Sequence, residues 1–153
     1  MNQQRRDALR ISTVLGLAVS AGLLTPLQAF AQEWNSGAFD TKSLNDTAKA
    51  LGGTSASISK DIVINAPDIA ENGAVVPVNA SCSLPNVQQI SILVEKNPNA
   101  LCGSFNILPG TEAYVSTRVK MAQTSNVHVL AKVDGKWLVA TKEVKVTLGG
   151  CGG

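Results

Sequence analysis

The 153 residues carry 13 Lys and Arg against 11 Asp and Glu, a formal charge of +2, with 44% apolar residues, three cysteines and one histidine. The surplus of base lies in Arg5, Arg6 and Arg10, and residues 32–153 hold equal numbers of basic and acidic side chains, so nothing in the charge balance points to nucleic acid or an anionic membrane as a partner, and neither is expected. A single histidine and no clustered carboxylates leave nothing from which to assemble a metal site, a cofactor cradle or a catalytic dyad.

Residues 1–31 read as an export signal. "MNQQRRDALR" is a charged leader, "ISTVLGLAVSAGLL" is an apolar stretch too short and too rich in small residues for a membrane span, and Ala29 and Ala31 have the spacing of a signal-peptidase site. Cleavage is expected before Gln32. Arg5 and Arg6, followed by Leu9 and Arg10, resemble the twin-arginine (Tat) signal, which exports proteins already folded, often with a passenger subunit; Ala8 stands where a bulkier apolar residue is usual. No cysteine follows the cleavage site and no second apolar span follows, so the expected product is periplasmic without a membrane anchor.

Residues 32–60 form an N-terminal segment with one short helix. Leu44, Ala48 and Leu51 have helical spacing, Asp40 and Ser43 are candidate caps, and Gly52 and Gly53 supply the stop. Residues 61–148 change character to β-branched runs divided by turn residues: "DIVIN", "AVVPVNAS", "VQQISILVEK", "GSFNIL", "AYVSTRVKM", "NVHVLAKV" and "KWLVATKEVKVTL". Val127, Val129, Ala131 and Val133 oppose His128 and Lys132, and Val144, Val146 and Leu148 oppose Glu143, Lys145 and Thr147. About seven strands with one apolar face each predict an all-β, immunoglobulin-like antiparallel sandwich. Asp134 and Gly135 predict a tight hairpin, and Pro77 predicts a sheet edge or bulge. Leu93, Leu130 and Leu138 fall opposite their strands' main apolar rows, so a second sheet face needs a cover, for which a partner is one candidate. His128 is expected on the surface or facing a partner, Trp34 in a mobile lead-in, and Trp137 in the sandwich or an interface.

Cys82 and Cys102 end neighbouring strand segments in apolar or small surroundings, and the simplest pairing joins them in a structural disulfide and leaves Cys151 over. The competing reading is a buried free thiol, which needs no partner. Cys151 has no packing explanation, because Gly149, Gly150, Gly152 and Gly153 around it have no side chains to bury. Residues 149–153 form a thin, flexible arm that carries the sulfur roughly 10 Å from Leu148 at full extension. The nearest cations, Lys142 and Lys145, are back on the strand, and the closing carboxylate of Gly153 disfavours the thiolate, so Cys151 is poorly equipped as a nucleophile of its own. It is suited to be gripped and activated by another protein.

"EKNPNA", "STRVKMA" and above all "VTLGGCGG", on an exported β-sandwich, resemble the SoxY family, the sulfur-carrier subunit of the thiosulfate-oxidising Sox complex. The resemblance implies that Cys151 carries the substrate as a covalent conjugate and that the chain is not itself an enzyme. It implies a SoxZ-like subunit as heterodimer partner. It further implies a haem-containing enzyme that joins thiosulfate to the thiol, a hydrolase that releases sulfate, and a molybdenum–haem dehydrogenase for the remaining sulfane sulfur. The Cys82 and Cys102 pair is no part of that family pattern. Two other classes remain open at this point: an immunoglobulin-like binding module whose Cys151 makes an interchain disulfide, and a ubiquitin-like carrier with sulfur on the Gly153 carboxylate. The second of these requires ATP, which the periplasm lacks.

Overall fold

A computed structural model of the chain describes residues 35–148. Among the described residues two short helices come first, α1 (Ser36–Phe39) and α2 (Leu44–Ala50). Ser43 caps α2, its hydroxyl accepting from the Asp46 amide at 3.1 Å, and Asp40 closes α1 instead of opening a helix. The positive φ of Gly52 (86°) ends α2 in the left-handed conformation that side chains avoid.

Nine strands follow: β1 (Ala56–Ile58), β2 (Ile62–Asn65), β3 (Ile69–Ala70), β4 (Val76–Cys82), β5 (Val87–Val94), β6 (Leu101–Asn106), β7 (Tyr114–Val119), β8 (Ser125–Val133) and β9 (Lys136–Val146). The seven predicted runs are β2 and β4 through β9. The two additions are short, and both pair parallel with β9, β1 near its start and β3 near its end. Neither has an alternating pattern long enough to read from sequence. The larger sheet runs β1-β9-β8-β5-β6 with β3 beside β9, and the smaller runs β2-β4-β7. Asp134 (φ 47°) and Gly135 (φ 78°) turn β8 into β9 as expected, with Val133 opposite Lys136. Pro77 faces Arg118 of β7, whereas β2 reaches only Asn79 to Cys82 of β4, so no ladder bond is lost at the proline.

The main core lies between the sheets, where Val78 and Ala80 of β4 meet Ile90 and Ile92 of β5 and Val127 and Val129 of β8. These are the inward positions of strict alternation. A second cluster covers the outer face of the larger sheet, where Ala38 of α1 and Ala48 of α2 pack with Leu93, Leu130, Trp137 and Val139. The chain's own helices therefore supply part of the cover that sequence reasoning left open to a partner, and complete burial of Leu93 and Leu130 stabilises the fold by about 1.5–3 kcal/mol each. Leu138 has the other parity. It packs with the main core, while Trp137 and Val139 on either side of it face the helices. Gly53 closes this layer, because a Cβ there would stand 2.4 Å from Trp137 Cδ1.

Candidate functional site

The expected site residues Cys151, Gly149, Gly150, Gly152 and Gly153 lie outside the described residues, as do the signal segment 1–31 and Trp34. What the structure fixes is the base from which residues 149–153 leave. β9 is bonded to β8 along its length and then held on its other side by β3 and the loop after it. The Lys145 amide donates to Asp68 O (3.0 Å), the Thr147 amide to Ala70 O (3.1 Å), and the Gly73 amide to Leu148 O (2.8 Å). Thr147 Oγ1 adds a bond to Glu71 O (3.2 Å), and the Val146 amide donates to Thr124 Oγ1 (2.9 Å). Val144 is buried and Val146 packs against the core, so the backbone is tied down as far as Leu148, whose side chain is 68% exposed.

Of the two lysines singled out near the arm, Lys142 is engaged. Its ammonium lies 2.9 Å from Asp68 Oδ1 and donates to Ala66 O at 2.6 Å. With Asp68 highly exposed, this pair adds little to stability, but it does fix where the cation points. Lys145 projects from the exposed side of β9.

The structure does not bring Cys82 and Cys102 together, and both are free thiols. Cys82 ends β4 in the core, where its amide donates to Ala113 O (3.0 Å) just before β7. Cys102 sits in β6 beside the irregularity between Ile92 and Leu93 of β5, and receives a 3.9 Å contact from Asn97 Nδ2, which also donates to Lys120 O (2.7 Å) just beyond β7. The two cysteines thus neighbour opposite ends of β7. Seven steps of extended chain, from Ala113 to Lys120, span roughly 23 Å, far beyond the roughly 4.4–6.8 Å Cα separation of a disulfide. The expected bridge is corrected to two separate thiols. Burial pushes the Cys102 thiol above its ordinary range, against the opposing effects of bonds from Val94 and Asn97, which leaves it less reactive than a free cysteine.

His128 is another correction. It shares the outer sheet face with Leu130 as its parity requires, but that face is covered and the residue is only 8% exposed. Nδ1 lies 2.8 Å from Thr141 Oγ1, and Nε2 lies 3.7 Å from Glu95 Oε2, which also accepts from Asn126 Nδ2 at 2.8 Å. Desolvation lowers the His128 pKa, and Glu95 partly restores it. Thr141 stands seven residues before Leu148, roughly 23 Å along the strand, so His128 is out of reach of a thiol about 10 Å from Leu148. Trp137 is buried within the domain, with Lys132 Nζ 5.9 Å from its ring centre. Among the described residues no three His, Cys, Asp or Glu side chains are grouped as a metal site would need, and no helix is long and apolar enough to cross a membrane.

Comparison with known proteins gives a consistent result. No curated protein matches the chain. Among solved structures, the sulfur carrier protein SoxY from Chlorobium limicola f thiosulfatophilum is 43% identical, with a TM-score of 0.59 over 67% of this chain and 96% of that one. A superoxide reductase (neelaredoxin) from Ignicoccus hospitalis is 22% identical, with a TM-score of 0.50 over 56% of this chain and 79% of that one, a likeness of fold alone. The family model for sulfur oxidation protein SoxY matches residues 47–151, from within α2 through the sandwich to Cys151. By that match, and by its identity to a sulfur carrier over nearly all of that protein's length, this chain belongs to the SoxY family.

Proposed function

We propose that this SoxY-family chain is a periplasmic sulfur carrier, exported by its twin-arginine-type signal, that holds thiosulfate-derived sulfur covalently on Cys151 and presents it to the enzymes of a Sox pathway. The observation that carries the reading is the contrast at Leu148. The backbone is bonded to β8 as far as Val144 and held by β3 and the loop after it as far as Leu148, and a glycine-flanked thiol follows three positions later. His128 stands roughly 23 Å along β9 from Leu148, beyond an arm that reaches about 10 Å, and Lys142 is committed to Asp68 and Ala66 O. A thiol with a fixed root and no base of its own suits a cargo handle activated inside other proteins' sites. Ordering each glycine on docking costs about 1–2 kcal/mol, which keeps the complexes weak and release fast.

In this reading a SoxZ-like subunit forms a heterodimer with the chain. A haem-containing enzyme conjugates thiosulfate to Cys151, a hydrolase releases sulfate, and a molybdenum–haem dehydrogenase oxidises the sulfane sulfur where it is present. The test is the intact mass of the mature protein from cells grown on thiosulfate. Adducts of sulfane, thiosulfonate or sulfonate type are expected, and they vanish in Cys151→Ser. An unmodified thiol under turnover, a mass gain on the Gly153 carboxylate, or a Cys151-linked covalent dimer as the sole product overturns the proposal.

A further inference from the structure

We infer that Asn72 is a site of covalent self-modification, in which the Gly73 backbone nitrogen attacks the Asn72 carboxamide and expels ammonia, and that the bond from the Gly73 amide to Leu148 gates the reaction. The inference stands apart from the carrier reading, since it needs only the loop between β3 and β4 and the chain just past β9. Asn72 and Gly73 make the one Asn–Gly step in the sequence, and every other asparagine is followed by a residue with a side chain. A side chain at that position crowds the approach of the backbone nitrogen to Cγ, and glycine has none. Asn72 is exposed in its loop.

Two hydrogen bonds at this step act in opposite directions. Asn72 Oδ1 accepts from the Ala74 amide at 2.9 Å. That donor draws charge away from Cγ and is in place for the negative charge that grows on Oδ1 as a nucleophile adds, the part an oxyanion-hole donor plays. The ring it closes includes the Gly73 nitrogen, so nucleophile and carbonyl carbon are held in one turn. The second bond blocks the attack. Gly73 is buried and its amide donates to Leu148 O at 2.8 Å, which keeps the proton on the nitrogen that has to lose it. Leu148 lies two residues past the end of β9, and backbone bonds at the ends of elements open most readily.

When the Leu148 bond opens, the Gly73 nitrogen gives its proton to water or hydroxide and bonds to Cγ. The bond from Cγ to Nδ2 then breaks, and ammonia leaves with a proton returned from solvent. The cyclic imide takes up one water. Opening at Cγ leaves aspartate, and opening at the Asn72 main-chain carbonyl leaves isoaspartate, with the chain now running through the former side chain. The sum is asparagine and water to a carboxylic acid and ammonia, with no oxidant or reductant. Isoaspartate lengthens the main chain between residues 72 and 73 by one methylene and sets a carboxylate beside Glu71, so Gly73 loses its register with Leu148. The modification loosens the root from which residues 149–153 leave.

The experiment incubates the full chain at neutral and at alkaline pH and follows the peptide containing Asn72 by fragmentation mass spectrometry, with a methyltransferase assay for isoaspartate. Asn72 is expected to convert, faster at the higher pH, while Asn65, Asn79 and Asn86 of the same peptide stay intact. Thr147 probes the gate, because its amide donates to Ala70 O and its hydroxyl to Glu71 O and neither bonds the reacting pair. Thr147→Val, which loses the hydroxyl bond alone, should raise the rate about threefold, and Thr147→Pro, which loses both bonds, about tenfold. The valine variant is near-isosteric and decides the question alone if the proline variant fails to fold. No conversion of Asn72 in any of these chains, while a free peptide of the same sequence converts fully, overturns the site. Equal rates in wild type and variants overturn the gate, and conversion spread evenly over the four asparagines overturns the activating role of the Ala74 amide.

Discussion

At the residue scale, His128 shows how far a strand pattern carries. Alternation places it on the same face as Lys132, and that is where it lies, but pattern alone does not say whether a face is covered. The cover comes from elements distant in sequence. Because burial lowers its folded-state pKa below the ordinary value near 6.5, the fold prefers neutral imidazole. The unfolded chain then binds more protons between the two pKa values, so stability rises with pH through that window. The contribution is complete above the unfolded value and is lost as pH falls toward the lowered folded value. Thermal unfolding followed at intervals from pH 7.5 to 5.0 should show Tm falling with acidity. His128→Gln, which keeps a polar partner for Thr141, should flatten that slope. Glu95→Gln, which removes the opposing charge, should steepen it. A His128→Gln profile parallel to wild type would mean that another group governs the acid limb.

At the element scale, α2 was legible because its signals are local: Leu44, Ala48 and Leu51 on one stripe, Ser43 as the cap and two glycines at the end. Its purpose was not legible, since nothing in "LNDTAKALGG" names the sheet it packs on. The two glycines also turn out to differ. Gly52 is required by its backbone conformation, with open space where a side chain would go, while Gly53 is required by contact with the indole of Trp137. Gly53→Ala places a methyl against a buried ring that has little room to retreat, and overpacking of this kind costs about 1–3 kcal/mol. Urea unfolding should show a lower midpoint with an unchanged slope, together with altered near-UV ellipticity from Trp137. Equal midpoints would show that the α2 layer yields freely. β1 and β3 escaped the reading for a complementary reason. Strands of three and two residues are defined by their partner β9 and not by a pattern of their own.

At the scale of the whole molecule, the seven main strands were readable but their arrangement was not, because each pairing joins segments that no local rule relates. The disulfide expectation failed at that step. Cys82 and Cys102 do sit near strand ends with apolar neighbours, as the sequence suggests, but β4 and β6 belong to different sheets and present those residues at opposite ends of β7. "VTLGGCGG" was informative for the opposite reason, since a family motif is read from the residues themselves, and the family match extends to Cys151. The sandwich is thus held by its two apolar layers without a covalent brace, and stability should not depend on redox conditions. In the Cys151→Ser background, reductant should leave Tm unchanged, and thiol titration of the unfolded, unreduced chain should give two equivalents. A Cys82–Cys102 bridge would contribute about 2–4 kcal/mol, so its reduction would lower Tm by roughly ten degrees and the unreduced chain would titrate no thiol. That outcome would require β4 and β6 to approach within bonding distance, and so would contradict the strand order itself.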